Sequence, residues 1–207
     1  NKYKIDFFQA IVFNYLICVV TGSVVLGKFP LGIQTLDTSW FPWALLMGVL
    51  FISVFNIIAF STIKAGVTVT QTANKLSLII PVLFAWYVYK ETMGIVKWVG
   101  VILAILAVIF TVSKAEKSKT KKTVWTIVLP ILLFIGSGII DTLTKFVETH
   151  FIKNDTMANN YLIAGFFVAG VSGFIILCVL YIFKKKKFHF KHLIAGIILG
   201  VPNYFSI

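Results

Sequence analysis

The stretch from Gly66 to Val112 reads GVTVTQTANKLSLIIPVLFAWYVYKETMGIVKWVGVILAILAVIFTV. It consists of two apolar segments, 66–89 and 95–113, joined by a short turn at 90–92 that contains a lysine and a glutamate. An α-helix rises about 1.5 Å per residue, so each segment is long enough to cross the hydrocarbon core of a bilayer, which is roughly 30 Å thick. The stretch therefore predicts two membrane-spanning helices, of which the first carries polar residues and a proline.

The composition of the whole chain extends this prediction. Of its 207 residues, 59% are hydrophobic and only 13% are charged, whereas a soluble domain carries roughly 25% charged residues. The mean hydropathy is +0.96. The apolar runs are continuous and do not alternate with polar residues, as the strands of an outer-membrane barrel would. We expect an all-α integral membrane protein that forms a polytopic helical bundle, and no cleavable signal peptide is visible.

The net charge of +12 comes entirely from lysine. Nearly all of the lysines lie in loops between apolar runs, where positive charge sets membrane topology, so we do not expect nucleic acid as a partner. Thirteen lysines fall on the side where the first span begins and four on the other. This bias places the first side in the cytoplasm. Cys18 and Cys178 lie inside apolar runs and indicate small buried side chains, not a disulfide framework.

A pass along the chain divides it into spans and loops. Full spans are predicted at about 5–27, 40–63, 66–89, 95–113, 124–147 and 160–183, and a seventh starts at 193 and is too short to cross. The most polar loops are 28–39, 114–122, 150–159 and 184–192. Residues 45–61 resemble residues 193–206 at an offset of 148, which matches Gly48 to Gly196 and, with one gap, Asn56 to Asn203.

This internal similarity predicts two five-span repeats. Five is an odd number, so the second repeat would run inverted in the membrane, a common plan among transporters. Residues 1–113 would form the first repeat without its first span, 114–122 a basic linker, and 123–207 a truncated second repeat. The chain is then expected to be the middle of a longer protein.

The residues 73–110, ANKLSLIIPVLFAWYVYKETMGIVKWVGVILAILAVIF, resemble the drug/metabolite transporter superfamily and within it the EamA-type, ten-span members. The resemblance is carried by the order of Pro81, Glu91, Trp98 and Gly100. It implies two inverted five-helix repeats around a central cavity that moves small metabolites. Familiar members have a cytoplasmic N-terminus, which would put the start of the first span outside, opposite to the lysine bias. Orientation and direction of transport therefore stay open.

The third span carries the first group of candidate binding residues. Gln71, Asn74 and Lys75 are spaced three to four residues apart and share one helix face. A charged residue in hydrocarbon costs about 3 kcal/mol, so Lys75 is expected to face a cavity and attract a carboxylate or phosphate. The alternative is that it snorkels to the interface, about 13 Å away. Pro81 leaves the Ser77 carbonyl without its helical donor, which predicts either a kink that exposes this carbonyl to a cavity or a static kink that shapes packing.

Two further groups are predicted to contribute to binding. Asp141 and Lys145 are four residues apart on the fifth span. They are expected either to neutralise each other within the helix or to form a substrate-binding or proton-coupling site, in which Asp141 lies deeper in the span. Asn56 and Asn203, the latter followed by Tyr204, are matched by the repeat and are expected either to bind substrate or to join helices by hydrogen bonds.

The sequence thus predicts a secondary-active transporter of small metabolites, such as amino acids, in a cell inner membrane. Alternating access is the expected mechanism, with possible proton or exchange coupling through Asp141. No nucleotide-binding motif is present, and we expect no catalytic residue, cofactor or metal. Two alternatives stay open: an integral-membrane enzyme that acts on a lipid-linked substrate, and a membrane scaffold that transports nothing.

Overall fold

A computed structural model describes residues 5–116, 124–184 and 188–206, and every regular element in those ranges is a helix. The helices are α1 (Phe7–Val25), α2 (Ile33–Leu36), α3 (Phe41–Ala65), α4 (Val67–Leu76), α5 (Ile79–Val88), α6 (Ile95–Glu116), α7 (Trp125–Phe151), α8 (Asp155–Lys184) and α9 (Phe190–Tyr204).

Several of these helices are suited to a membrane. Within the described residues, five helices are long and apolar enough to cross one: α1, α3, α4 with α5 as one unit, α7 and α8. The described apolar stretch of α6, residues 95–107, is shorter, and α9 has 15 residues. The predicted all-helical character is confirmed for the described residues, and five of their helices are long and apolar enough to cross a membrane, as a polytopic protein requires. Most of the predicted linker at 114–122 lies outside the described residues.

The chain separates into two compact units by its internal contacts. Unit 1 combines Asn1–Asn56 with Val147–Ile207, and unit 2 is Ile57–Phe146. Helix α3 begins in unit 1 and ends in unit 2. The predicted division into two repeats stays a prediction, because compactness does not test which segments are related in sequence.

Helix α1 is the centre of unit 1 and packs against α8 and α9. Its residues Val12 and Cys18 have no exposed surface, and Tyr15 has 2%. The Tyr15 hydroxyl donates a hydrogen bond of 2.8 Å to the Phe51 carbonyl of α3. The Tyr15 ring lies against Phe51 and Phe166, whose own centroids are 5.3 Å apart. A buried phenol with an apolar ring and one bonded hydroxyl joins three helices at this point.

Glycines let the helices of unit 1 approach closely. A Cβ on Gly196 would lie 2.3 Å from the Phe13 Cβ, and one on Gly200 would lie 2.7 Å from the Asn14 carbonyl oxygen. Both glycines therefore face α1 at distances that no larger residue allows. The pair forms a GxxxG motif in the sequence, a pattern typical of closely packed helices.

The ends of two spans differ from the sequence prediction because side chains cap them. The Asn154 Oδ1 accepts a hydrogen bond of 2.9 Å from the Met157 amide, and α8 starts at Asp155. The predicted loop at 150–159 is therefore wrong in extent, since α7 continues to Phe151. At the other end of unit 1 the Asp6 Oδ1 accepts from the Gln9 amide at 3.3 Å and caps α1.

In unit 2 the chain breaks its third span in two. Helix α4 ends at Leu76 and α5 begins at Ile79. The break at residues 77–78 lies four and three residues ahead of Pro81, which cannot donate to the Ser77 carbonyl. The prediction that this carbonyl is exposed is wrong: the Ile80 amide donates to it at 2.9 Å. The dihedral angles of Ser77, φ −57° and ψ −23°, are those of a tightened 3₁₀ turn, which satisfies the carbonyl from one residue nearer.

Candidate functional site

A polar contact joins α4 to α7 inside unit 2. The Ser137 hydroxyl, on a side chain that is 8% exposed, donates a hydrogen bond of 2.6 Å to the Asn74 Oδ1. The Ser77 hydroxyl donates to the Asn74 backbone carbonyl, also at 2.6 Å. Two segments that are long and apolar enough to cross a membrane, α4 with α5 and α7, thus meet through hydrogen-bonding groups. Two charged residues, Lys75 and Asp141, lie further along the same two helices.

Lys75 follows Asn74, and Asp141 lies four residues, one helical turn, beyond Ser137. Asp141 is half-buried and feels the positive charge of Lys75 from the neighbouring helix. The Lys75 side chain is exposed. A cation on α4 and a carboxylate on α7 thus lie on the same two helices as the Ser137–Asn74 hydrogen bond. We refer to Asn74, Lys75, Ser137 and Asp141 as the α4–α7 polar cluster.

The remaining polar residues of α4 have different surroundings. Gln71, predicted on the same face as Lys75, is exposed. Thr70 is fully buried; its hydroxyl donates to the Gly66 carbonyl at 2.9 Å and lies 2.8 Å from the Ser61 hydroxyl of α3. The hydroxyl groups of Thr70 and Ser61 therefore both have hydrogen-bond partners. The contact between them holds α3 to α4 across the turn at Gly66, which has the positive φ of +92° that glycine adopts without strain.

Asn56 and Asn203, which the internal repeat matches to each other, both lie in unit 1. Their hydrogen bonds differ in kind. The Asn56 amide donates to the Ile52 carbonyl of its own helix at 2.7 Å. The Asn203 amide donates to the Cys18 sulfur of α1 at 3.6 Å, and the Cys18 thiol donates to the Gly200 carbonyl at 3.3 Å. Asn203 thus forms part of the α1–α9 contact, as one of the two predicted alternatives requires, while Asn56 bonds within α3.

Tyr204 belongs to the aromatic packing of unit 1. Its ring centroid is 6.4 Å from that of Phe166 and 5.1 Å from that of Phe205. A Cβ on Gly22 would lie 2.8 Å from the Tyr204 ring, so α9 reaches the far half of α1 through this side chain. Its surroundings are those of a packing residue.

Sequence reasoning missed two buried polar side chains in the first span. Asn14 has no exposed surface, and neither its Oδ1 nor its Nδ2 has a hydrogen-bond partner. The Oε1 of Gln9, 2% exposed, also lacks one. A buried polar group without a partner costs about 1 to 3 kcal/mol. The signal was present, since both residues interrupt an apolar run as Lys75 does, and the same argument on membrane polar residues would have identified them.

Two histidines, His189 and His192, lie at the end of unit 1 where α1 begins. The Asp6 amide donates to the His192 Nδ1 at 3.3 Å, and the rings of His189 and His192 are 5.7 Å apart. His192 is 3% exposed and so links the start of α1 to the start of α9. In the part of the chain that the structure describes, no three side chains of the kind that bind metals come together.

Comparison with known proteins gives one relative of interest. The chain is similar to a protein of Haemophilus influenzae described as an uncharacterized protein, with 29% identity over 214 residues that cover all of this chain and 70% of the relative. No family model matches the chain, and no solved structure matches it. The resemblance to EamA-type transporters therefore stays a prediction.

Proposed function

We propose that the protein is a secondary-active transporter of small metabolites that works by alternating access in the inner membrane of a cell. The observation that carries the proposal is the α4–α7 polar cluster. Its lysine, carboxylate, amide and hydroxyl belong to two segments, α4 with α5 and α7, that are long and apolar enough to cross a membrane. Charged residues within such helices are costly, and they mark substrate and ion pathways.

The chemistry of the cluster indicates the class of substrate. Lys75 is the cation, and its exposed ammonium is available to a carboxylate or phosphate. Asp141 is the counter-charge in the absence of that group. An amino acid carries both an anion and a cation and would engage both residues. Amino acids and similar small zwitterions are therefore the cargo that the cluster favours.

The break between α4 and α5 supports a moving part at this site. It lies directly after the cluster, at Ser77 and Leu78. On the far side of the break, Ile80 of α5 packs against Gly138 of α7, where a Cβ would lie 2.3 Å from the Ile80 Cδ1. Broken helices next to a binding site are typical of transporters, because the two halves tilt separately.

The experiment that tests the function is uptake by proteoliposomes that contain the complete protein. Radiolabelled amino acids, other carboxylates and phosphorylated metabolites are offered with and without an imposed proton gradient. We expect saturable uptake of at least one anionic or zwitterionic compound. If no compound is taken up with a proton gradient in either direction, the proposal that the protein is a transporter is wrong. An enzyme or a scaffold then becomes the better description.

Asp141 gives the test of coupling. In Asp141→Asn the carboxylate is replaced by a neutral amide of the same shape that cannot release a proton. We expect proton-driven accumulation to fall to the level of passive equilibration while exchange of substrate across the membrane continues. Glu148→Gln, an exposed carboxylate on the same helix, is the control. Accumulation that survives in Asp141→Asn would remove Asp141 from the coupling mechanism.

The hydrogen bond between Asn74 and Ser137 gives a test of the site's geometry. Each of Asn74→Ala and Ser137→Ala is expected to reduce apparent substrate affinity, and the double variant is expected to be little worse than either single one. The interaction energy in such a cycle should be about 1 kcal/mol, as for neutral hydrogen bonds between helices. Strictly additive losses would show that the two side chains act independently. Ser53→Ala, whose exposed hydroxyl bonds only within α3, should change nothing.

A further inference from the structure

An apolar groove of about 520 Å³ opens on the surface of unit 1. One wall is α8, the other is formed by the loop before α2, by α2 and by the start of α3. Its lining includes six apolar side chains drawn from the loop before α2, from α2, from α3 and from α8: Phe29, Ile33, Leu36, Leu45, Phe167 and Val171. Each of them is at least 37% exposed, and Ile33 reaches 85%. We refer to this feature as the α8 groove.

The lining of the α8 groove suits hydrocarbon and little else. Its two hydroxyl-bearing side chains are Thr35 and Ser172. The Thr35 hydroxyl oxygen accepts from the Gly32 amide at 3.0 Å, and the Ser172 hydroxyl donates to the Ala169 carbonyl at 3.2 Å. Both are therefore engaged with backbone. A polar metabolite would lose its hydration in the groove and gain few hydrogen bonds in return.

The length of the α8 groove corresponds to one leaflet of a bilayer. Along α8 it extends from Ala164 to Ile175, which is about 16 Å at the rise of an α-helix. Half of the hydrocarbon core is roughly 15 Å thick. The other wall comes from the segment between α1 and α3, two helices that are long and apolar enough to cross the membrane. This segment therefore lies at one membrane face, and the groove runs inward from it.

Two exposed charges flank the segment that closes this end of the α8 groove. Lys28 directly precedes Phe29, and Asp37 directly follows Leu36. An ammonium and a carboxylate in these places complement the phosphate and the ammonium of a zwitterionic lipid headgroup. We propose that the α8 groove binds an acyl chain of a bilayer phospholipid with such a headgroup, whose phosphate pairs with Lys28 and whose ammonium pairs with Asp37. This binding does not depend on transport.

Photolabelling of the complete protein in vesicles tests the proposal. The probe is a phosphatidylethanolamine that carries a diazirine at the end of one acyl chain, and labelled residues are identified by mass spectrometry. We expect groove residues such as Phe167 and Val171 to take up several times more label than Ile182 and Ile198. These reference residues are 74% and 67% exposed on α8 and α9 and lie outside the groove. Equal labelling would mean ordinary contact with bulk lipid and would overturn the proposal.

Groove labelling below that of the reference residues would also overturn it, because another protein segment or a second copy of the chain would then cover the surface. Val171→Trp fills the groove and should reduce the label on Phe167 several-fold. Val179→Trp, the same change at an exposed position of α8 outside the groove, should not. Leu45→Trp fills it from the opposite wall and replaces Val171→Trp if that variant does not fold. Label that survives in a folded, filled variant would contradict the proposal.

The headgroup is tested with the same diazirine chain on phosphatidylglycerol, which has the phosphate but no ammonium. We expect the ethanolamine lipid to label the groove several-fold more than the glycerol lipid, and Asp37→Asn to remove that preference. Equal labelling by the two lipids in the unchanged protein would show that Asp37 takes no part. Lys28→Gln should lower labelling by both, since both carry the phosphate.

Discussion

Replacing Lys75 by alanine is expected to abolish saturable uptake by proteoliposomes at substrate concentrations where the unchanged protein works. The exposed ammonium is the cation of the α4–α7 polar cluster. A hydrogen bond to a charged group contributes about 1.5 to 3 kcal/mol, which corresponds to a loss of roughly 10- to 150-fold in apparent affinity. Asp141 would also lose its counter-charge, and its uncompensated carboxylate would repel an anionic substrate.

The matched control is Lys97→Ala. Lys97 is also an exposed lysine of an apolar helix, but it is the third residue of α6 and lies at the end of the helix. Its replacement should leave uptake within about two-fold of the unchanged protein, since a charge at a span's end reaches water. Lys75→Arg keeps the charge and should retain part of the activity. Normal uptake by well-expressed Lys75→Ala would mean that Lys75 snorkels to the interface, and the binding site would have to lie elsewhere.

Adding one methyl group at Gly200 is expected to destabilise the protein by about 1 to 3 kcal/mol, the usual effect of overpacking. The new Cβ would lie 2.7 Å from the Asn14 carbonyl oxygen and 2.7 Å from the Ile17 Cβ. A backbone carbonyl inside a helix cannot move aside as a flexible side chain can, so α1 and α9 must separate. The effect should appear as a lower midpoint in thermal unfolding followed by size-exclusion chromatography in detergent.

Gly100→Ala provides the control for this prediction. Gly100 is a helical glycine of α6, and a Cβ there would meet nothing within 4 Å. Alanine in a helix interior is more favourable than glycine by about 1 kcal/mol, so this variant should be equal to or more stable than the unchanged protein. If Gly200→Ala behaves like Gly100→Ala, the close approach of α1 and α9 is wrong.

Much of the helical architecture was predictable because hydropathy is a local property. A run of apolar residues long enough to cross hydrocarbon forms a helix whatever its neighbours are, since no other element with a lipid-exposed surface satisfies its backbone. The break near Pro81 was predictable for a similar local reason, the missing amide. Its consequence was not: the Ile80 amide replaces the lost donor of the Ser77 carbonyl. The choice between an open carbonyl and a tightened turn depends on geometry that hydropathy does not contain.

Three of the four residues of the α4–α7 polar cluster were predictable from the sequence, but their contacts were not. Asn74, Lys75 and Asp141 are conspicuous because polar residues within apolar spans are costly. That Ser137 bonds to Asn74, and that Lys75 acts on Asp141 from another helix, depends on how α4 meets α7. Ser137 was visible in the sequence only as a small residue near Asp141, since one hydroxyl among apolar residues carries little cost by itself.

The amino-acid sequence alone was sufficient to predict an all-helical protein with apolar spans, the positions of its charges, and the residues that are too polar for their surroundings. Only the folded chain shows which of those residues meet, that the side-chain amide of Asn14 and the Oε1 of Gln9 are buried without hydrogen-bond partners, and that a groove opens beside α8. The physical reason is the absence of a polar face on most spans. Helices that are apolar on every side do not indicate which side faces a neighbour, so close contacts such as that between Gly200 and Asn14 select the pairing.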